Sequence, residues 1–230
     1  MDRIGPLRRS VAAALVAFAV LVAALGDAVA ADFAHVRESR FDELLRLPQW
    51  RRVSHQLPAQ AAAVRACLEG DCKSAAAMRL AEFVANGRTA ERMTQLKRVQ
   101  KAVNRQRYLE DRDQFAREDL WQTPLAFVDR GGDCEDFAIA KYFVLKLLGF
   151  SIADLRIAVL TGTERNEVHA VLLVRVQGQW HVLDNRYDEP TSLARYREWT
   201  PQYALNETAG FRYSSATEAR SNRVGAPAGR

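Results

Sequence analysis

Beyond its first thirty residues, this 230-residue chain has no second long apolar run, so no later segment reads as membrane-spanning. Three cysteines allow at most one disulfide and leave one thiol over. With four histidines in all, a general base must be sought among few residues. No internal repeat is present, which excludes a solenoid. The net charge of +5 comes with no nucleic-acid motif, so no nucleic-acid partner is expected. Much of the basic excess lies around residues 88–107 and reads as a solvated helix face. With 48% hydrophobic and 27% charged residues, the rest has the composition of an ordinary globular domain.

The start of the chain differs. Arg3, Arg8 and Arg9 precede an apolar run from Val11 to Leu25, followed by Ala28-Val29-Ala30. A basic start, an apolar stretch and a small-x-small site make a secretory signal peptide over 1–30. The run has fifteen residues, short of the ~20 that span a bilayer. The expectation is an exported, periplasmic protein starting near Ala31. Its folded domain is read as 31–213, and 214–230, polar and small, as a disordered tail. Export implies an oxidising compartment. There Cys67 and Cys72 could close a small loop or stay separate thiols, and Cys134 is the odd one out.

The chain divides into a helical half and a strand-rich half. Helices are expected from Gln60 to Leu68, after a Ser74 cap to Asn86-Gly87, and after a Thr89 cap with Met93, Leu96, Val99 and Val103 as its apolar stripe. Residues 111–119 read as acidic and irregular. Thr123-Pro124 starts a short helix. After Gly131-Gly132 comes a mostly buried helix from Cys134 to Leu148, with Lys141 and Lys146 pointing away from its apolar surface and Gly149 as terminator. The period then changes. Leu155–Leu160 and Val168–Val176 read as strands, and Gln177-Gly178 as a tight turn into Trp180–Leu183. Trp199–Tyr203 and Phe211–Tyr213 add further sheet.

Chemistry concentrates at Gly131-Gly132-Asp133-Cys134-Glu135-Asp136. Cys134 opens a helix, where free N–H groups and the helix dipole favour a thiolate and can hold an oxyanion. A nucleophilic thiol needs a base and an orienter for it. With Gln177-Gly178 as the loop, Val176 pairs with Gln179 and Val171 with Asp184. His169 then shares a face with Asp184 as a diagonal neighbour. His181 points to the other face, and His35 and His55 lie far from any strand. The residues permit a Cys134–His169–Asp184 triad, with Asn185 able to fix the orienting strand. Asp133, Glu135 and Asp136 form a hard-oxygen cluster suited to Ca²⁺, with Asp188 or Glu189 as possible additional ligands. Trp121 reads as core, and the oxyanion donor is the Cys134 N–H.

The run GGDCEDFAIAKYF, then EVHAVLLV and HVLDN, resembles the bacterial transglutaminase-like cysteine peptidases of the LapG type. Trp121-Gln122-Thr123-Pro124-Leu125 and Tyr203-Ala204-Leu205-Asn206-Glu207 add to the likeness, which covers roughly Phe41 to Tyr213. The resemblance implies an α+β, papain-like/transglutaminase-core fold: N-terminal helices, and a central helix carrying the nucleophile packed on an antiparallel sheet. It implies Cys134 as nucleophile, His169 as base, Asp184 as orienter, and calcium as cofactor. It further implies a periplasmic enzyme that cuts an Ala-Ala site near the N-terminus of a large surface adhesin and so controls biofilm release. Such enzymes are held by a LapD-like inner-membrane receptor for cyclic di-GMP. Cys67, Cys72 and the C-terminal tail depart from the family pattern. Two other functions use the same residues or fold: an acyltransferase that passes the acyl group to an amine, and a non-enzymatic binding module.

Overall fold

The computed structural model describes Phe33 and residues 36–115, 119–164 and 166–215. The segment read as a signal peptide lies outside the described residues, as do His35 and residues 216–230. Among the described residues, no helix is long and apolar enough to cross a membrane.

Among the described residues, seven α-helices precede the main run of strands: α1 (Pro48–Ser54), α2 (Leu57–Leu68), α3 (Ala75–Gly87), α4 (Arg92–Val103), α5 (Asp111–Phe115), α6 (Pro124–Arg130) and α7 (Cys134–Leu147). The strands are β1 (Val36–Arg40), β2 (Leu155–Gly162), β3 (Val168–Val176), β4 (Gln179–Leu183), β5 (Thr191–Ser192), β6 (Trp199–Leu205) and β7 (Gly210–Ser215). They make one antiparallel sheet in the order β1-β7-β6-β2-β3-β4-β5. The α+β expectation holds.

The β3–β4 hairpin has the register read from its turn, with Val176 opposite Gln179 and Leu172 opposite Leu183. Gln177 and Gly178 both take positive φ, 51° and 80°, the geometry of a two-residue turn that follows strand twist. Alternation sends Leu172, Val174 and Leu183 into the helix-side core, with Leu145 and Leu96. It sends Val171, Leu173 and Val182 to a second apolar cluster on the far face, with Phe33, Tyr196 and Tyr213.

Several local expectations change. α2 begins at Leu57, one turn early, because Pro58 suits a first helical turn. Ser74 caps α3 as expected, accepting from Ala77 N at 3.3 Å. Thr89 does not cap α4. Glu91 does, its carboxylate accepting from Met93 N at 3.0 Å and Thr94 N at 3.2 Å, a charged acceptor at the positive end of the helix. Thr123 occupies the N-cap of α6 without a side-chain bond. β7 runs from Gly210 to Ser215, two residues past the expected domain end at 213. Cys67 and Cys72 are joined as a disulfide that closes the turn after α2. Lys141 does not point away: it is fully buried inside the fold.

Candidate active site

Cys134 is the first residue of α7, and two glycines shape the approach to it. Gly131 has φ 87°, and a Cβ there would lie 2.2 Å from the Arg107 carbonyl oxygen. A Cβ on Gly132 would lie 2.1 Å from Asp136 Oδ2. No other residue fits either position without a shift of backbone or of Asp136. The tightness has a cause. Gly132 N donates to Arg107 O at 3.1 Å, and Leu109 N donates to Gly132 O at 2.9 Å. Segment 107–109 thus lies along the helix entry and delivers Asp111 to it.

The Cys134 thiol is partly buried, and it donates to Glu135 Oε2 at 3.2 Å. The backbone N–H of Ala170, next to His169, lies near the sulfur and favours its thiolate. Burial, then the Glu135 charge, pushes the thiol pKa far above its ordinary value, and the Ala170 N–H opposes this.

His169 and Asp184 are both buried, with Nε2 and Oδ1 2.8 Å apart. Asp184 Oδ1 also accepts from Arg186 N at 2.9 Å, and Oδ2 from the Tyr196 hydroxyl at 2.7 Å. Burial opposes the Asp184 charge, but the bonds from His169, Arg186 and Tyr196 outweigh it and hold its pKa below the usual carboxylate value. Trp199 packs on the imidazole, ring centroids 5.6 Å apart. With Nε2 on Asp184, Nδ1 is the ring nitrogen left for a thiol. From beneath, Gln100 Nε2 donates to Asp184 O at 2.6 Å, and Asn104 Nδ2 to Tyr187 O at 2.8 Å.

The acids divide. Carboxylate oxygens of Asp111, Asp133 and Asp136 lie within 4.8 Å of one another. Glu135, expected in that group, is not one of the three: its carboxylate accepts from the thiol and also meets Asp133, at the edge of the cluster. Consecutive helix positions turn by 100°, so Glu135 and Asp136 face different ways. Glu189 is also elsewhere, 3.9 Å from Lys97. Asp136 accepts from Gln122 N and Gln122 Nε2, each at 2.6 Å. Burial first, then neighbouring carboxylates, lifts Asp133 to about 9. Burial lifts Asp136 to about 8 against the Gln122 bonds, and raises Asp111 as well. Asp111 Oδ1 and Asp133 Oδ1 are buried without a hydrogen-bond partner. Three clustered carboxylates, two of them with a buried oxygen that lacks a hydrogen-bond partner, fit a hard divalent ion.

Trp121 is core, against Trp50 at 6.5 Å, and its indole N–H is used at 2.8 Å by Asp119. Asn185 Oδ1 is buried without a hydrogen-bond partner. Sequence reasoning missed Asp111, Tyr196, Gln100 and Asn104. Gln122, beside the quoted Trp121, was in view without a role.

No curated protein matches the chain. Solved structures that do include Legionella pneumophila LapG, at 24% identity over 70% of this chain and 94% of that one, TM-score 0.57, and calcium-bound Legionella pneumophila LapG, at 24% over 71% and 98%, TM-score 0.56. An EGTA-treated form of that Legionella protein matches at 24% over 68% and 91%, TM-score 0.56. These establish a shared fold. Residues 59–204 match the model of the bacterial transglutaminase-like cysteine proteinases, a span holding Cys134, His169 and Asp184, and the chain is a cysteine peptidase belonging to that family.

Proposed function

We propose that this peptidase is a calcium-dependent periplasmic endopeptidase that cuts an extended Ala-Ala segment near the N-terminus of a large surface adhesin. The observation that carries the catalytic part is the buried 2.8 Å contact between His169 and Asp184, with the Ala170 N–H against the Cys134 sulfur.

Cys134 Sγ attacks the scissile carbonyl carbon, and its proton passes to Nδ1 of His169. The oxyanion forms beside the Cys134 N–H, one of the first-turn donors with no intrahelical acceptor. The C–N bond breaks as His169 gives the proton to the leaving amine. Water, deprotonated by His169, then opens the thioester, releasing the acid and restoring the thiol. Asp184 stays ionised, orienting the ring and stabilising the imidazolium.

Asp111, Asp133 and Asp136 would hold calcium. The ion supplies positive charge beside a thiol that burial and carboxylates otherwise keep protonated. Support from relatives is the calcium-bound and EGTA-treated pair of Legionella LapG structures. Support for export is the leader-like residues 1–30 and the Cys67–Cys72 disulfide, a bond of oxidising compartments. The family resemblance supplies the adhesin, biofilm release and a LapD-like cyclic di-GMP receptor as substrate, role and regulator.

The test is incubation of the mature protein with adhesin N-terminal fragments containing Ala-Ala, with Ca²⁺ or chelator, and with Cys134→Ala as control. Cleavage that needs both Cys134 and Ca²⁺ supports the reading. Intact fragments in calcium remove the adhesin, and a new amide with added primary amine makes the enzyme an acyltransferase.

A further inference from the structure

Lys141 is fully buried, alone among the described lysines, and its Nζ has no hydrogen-bond partner. It is seven residues, two helical turns, beyond Cys134 on α7. A leucine or methionine would fill this position without burying an unpaired amine. A lysine here is explained if its charge is used.

The geometry shows where. α4 and α7 run antiparallel. Arg92 at the start of α4 donates to the carbonyls of Leu148, at 3.2 Å, and Gly149, at 3.0 Å, while Val103 at its end shares a cavity wall with Ala140 and Val144. α4 thus packs along α7, with Gln100 and Lys141 both fully buried and Asn104 one turn beyond Gln100. Gln100 and Asn104 spend their amide N–H groups on the Asp184 and Tyr187 carbonyls. Their acceptor atoms, Gln100 Oε1 and Asn104 Oδ1, are buried and unpartnered. Two unpaired acceptors therefore lie under the Asp184 turn, and the unpaired Lys141 amine is close enough to feel the Asp184 charge.

The charges around Lys141 are few. The Phe137 ring on α7 lies 5.9 Å from Nζ, and the turn after β4 brings Asp184, which favours the ammonium. Burial works against it and lowers the pKa to about 7. Arg156 of β2 lies among Trp180 and Phe211, the rings of the opposite sheet face. Arg79, Lys97, Arg98, Lys101, Asp129 and Arg130, on the helices packed against α7, are exposed. On α7 itself, Glu135 and Asp136 are a turn or more away, and Lys146 pairs with Glu207.

We propose that Lys141 is a positioning residue for the peptidase reaction: its buried ammonium braces the Asp184 turn through Gln100 and Asn104 and favours the ionised Asp184 that orients His169. The inference rests on the Cys134–His169–Asp184 reading above. The link between Lys141 and the two amides is a direct bond after small side-chain motion, or one buried water.

The test compares mature wild type with Lys141→Met on a cleavable peptide, reading kcat and KM against pH together with the melting temperature. The melting temperature stays level or rises, because an unpaired buried amine is gone. Meanwhile kcat falls about tenfold, the worth of one lost charge-assisted contact, with KM within about twofold. Removing a positive charge raises the pKa of groups that feel it, so the acid limb of the profile moves to higher pH. Gln100→Met, which cuts the bridge and keeps the lysine, lowers kcat in the same sense. A folded Lys141→Met with wild-type kcat and profile overturns the proposal, and so does a Gln100→Met that matches wild type. Cys134→Ala separates the two readings. If it remains active, the triad reading fails; if it is silent while Lys141→Met matches wild type, only this inference fails.

Discussion

The imidazole Nε2 of His169 and the carboxylate Oδ1 of Asp184 meet at 2.8 Å between adjacent strands, both residues withdrawn from solvent. The Asp184 carboxylate accepts from three donors, and its pKa is lowered despite burial. An ionised orienter in a dry setting stabilises an imidazolium strongly.

Replacing that charge isolates it. Asp184→Asn keeps the shape and is expected to lower kcat by about 10²–10⁴. Tyr196→Phe removes one bond to Oδ2, worth about 1.5 kcal/mol, and lowers kcat about tenfold. Steady-state peptide cleavage measures both. An Asp184→Asn enzyme at wild-type rate would show that His169 needs no orienter.

The acid cluster gives a second prediction, free of activity. Calcium raises the melting temperature of wild type, by about 2.7 kcal/mol of added stability at a hundredfold excess over Kd. Asp111→Asn and Asp136→Asn lose that shift. Glu135→Gln keeps most of it, because Glu135 meets the thiol and the edge of the cluster at Asp133 but is not one of the three grouped carboxylates. Calcium titration followed by calorimetry distinguishes the sets. Loss of binding in Glu135→Gln alone would return the ligand role to Glu135.

Buried Lys141 makes stability depend on pH with a definite sign. Its folded pKa of about 7 lies below its ordinary 10.5, so above pH 7 the unfolded chain binds the extra proton. The penalty is full below pH 7 and fades as pH rises toward 10.5. Stability therefore increases across that window, by a few kcal/mol at most on the order-of-magnitude scale of such shifts. Urea unfolding of wild type minus Lys141→Met isolates the slope. A difference independent of pH would mean the lysine reaches water.

The Cys67–Cys72 bond closes a short loop far from the triad residues in the sequence. Cys67→Ser with Cys72→Ser costs about 2 kcal/mol on the loop-entropy estimate. It leaves kcat unchanged. A fall in kcat at full folding would tie the α2 turn to the site.

Where local chemistry decides structure, the sequence was readable. Gln177-Gly178 set a two-residue turn, and alternation then fixed which side chains share a face, which is why the His169–Asp184 pair could be anticipated. The glycine pair and apolar spacing marked α7. Residues brought in by distant pairing were not readable. Asp111 reaches Asp133 and Asp136 only because residues 107–109 bond to Gly132, and no local pattern encodes that pairing. Tyr196 meets Asp184 across β4 and β5 for the same kind of reason. β1 escaped because its sequence, VRESR, is mostly polar at an exposed sheet edge. Lys141 was misplaced because amphipathic reasoning sends lysines to water, and only the packing of α4 and β3 on α7 closes that exit.

The central claim is that His169 activates Cys134. The most direct measurement is the iodoacetamide alkylation rate of Cys134 near pH 6.5 in calcium, for wild type and His169→Ala, read by intact mass. An imidazole partner makes the wild-type rate about a hundredfold or more higher, since it keeps a thiolate at a pH where an isolated thiol of pKa ~8.5 is almost wholly protonated. Equal rates in the two proteins would contradict the account.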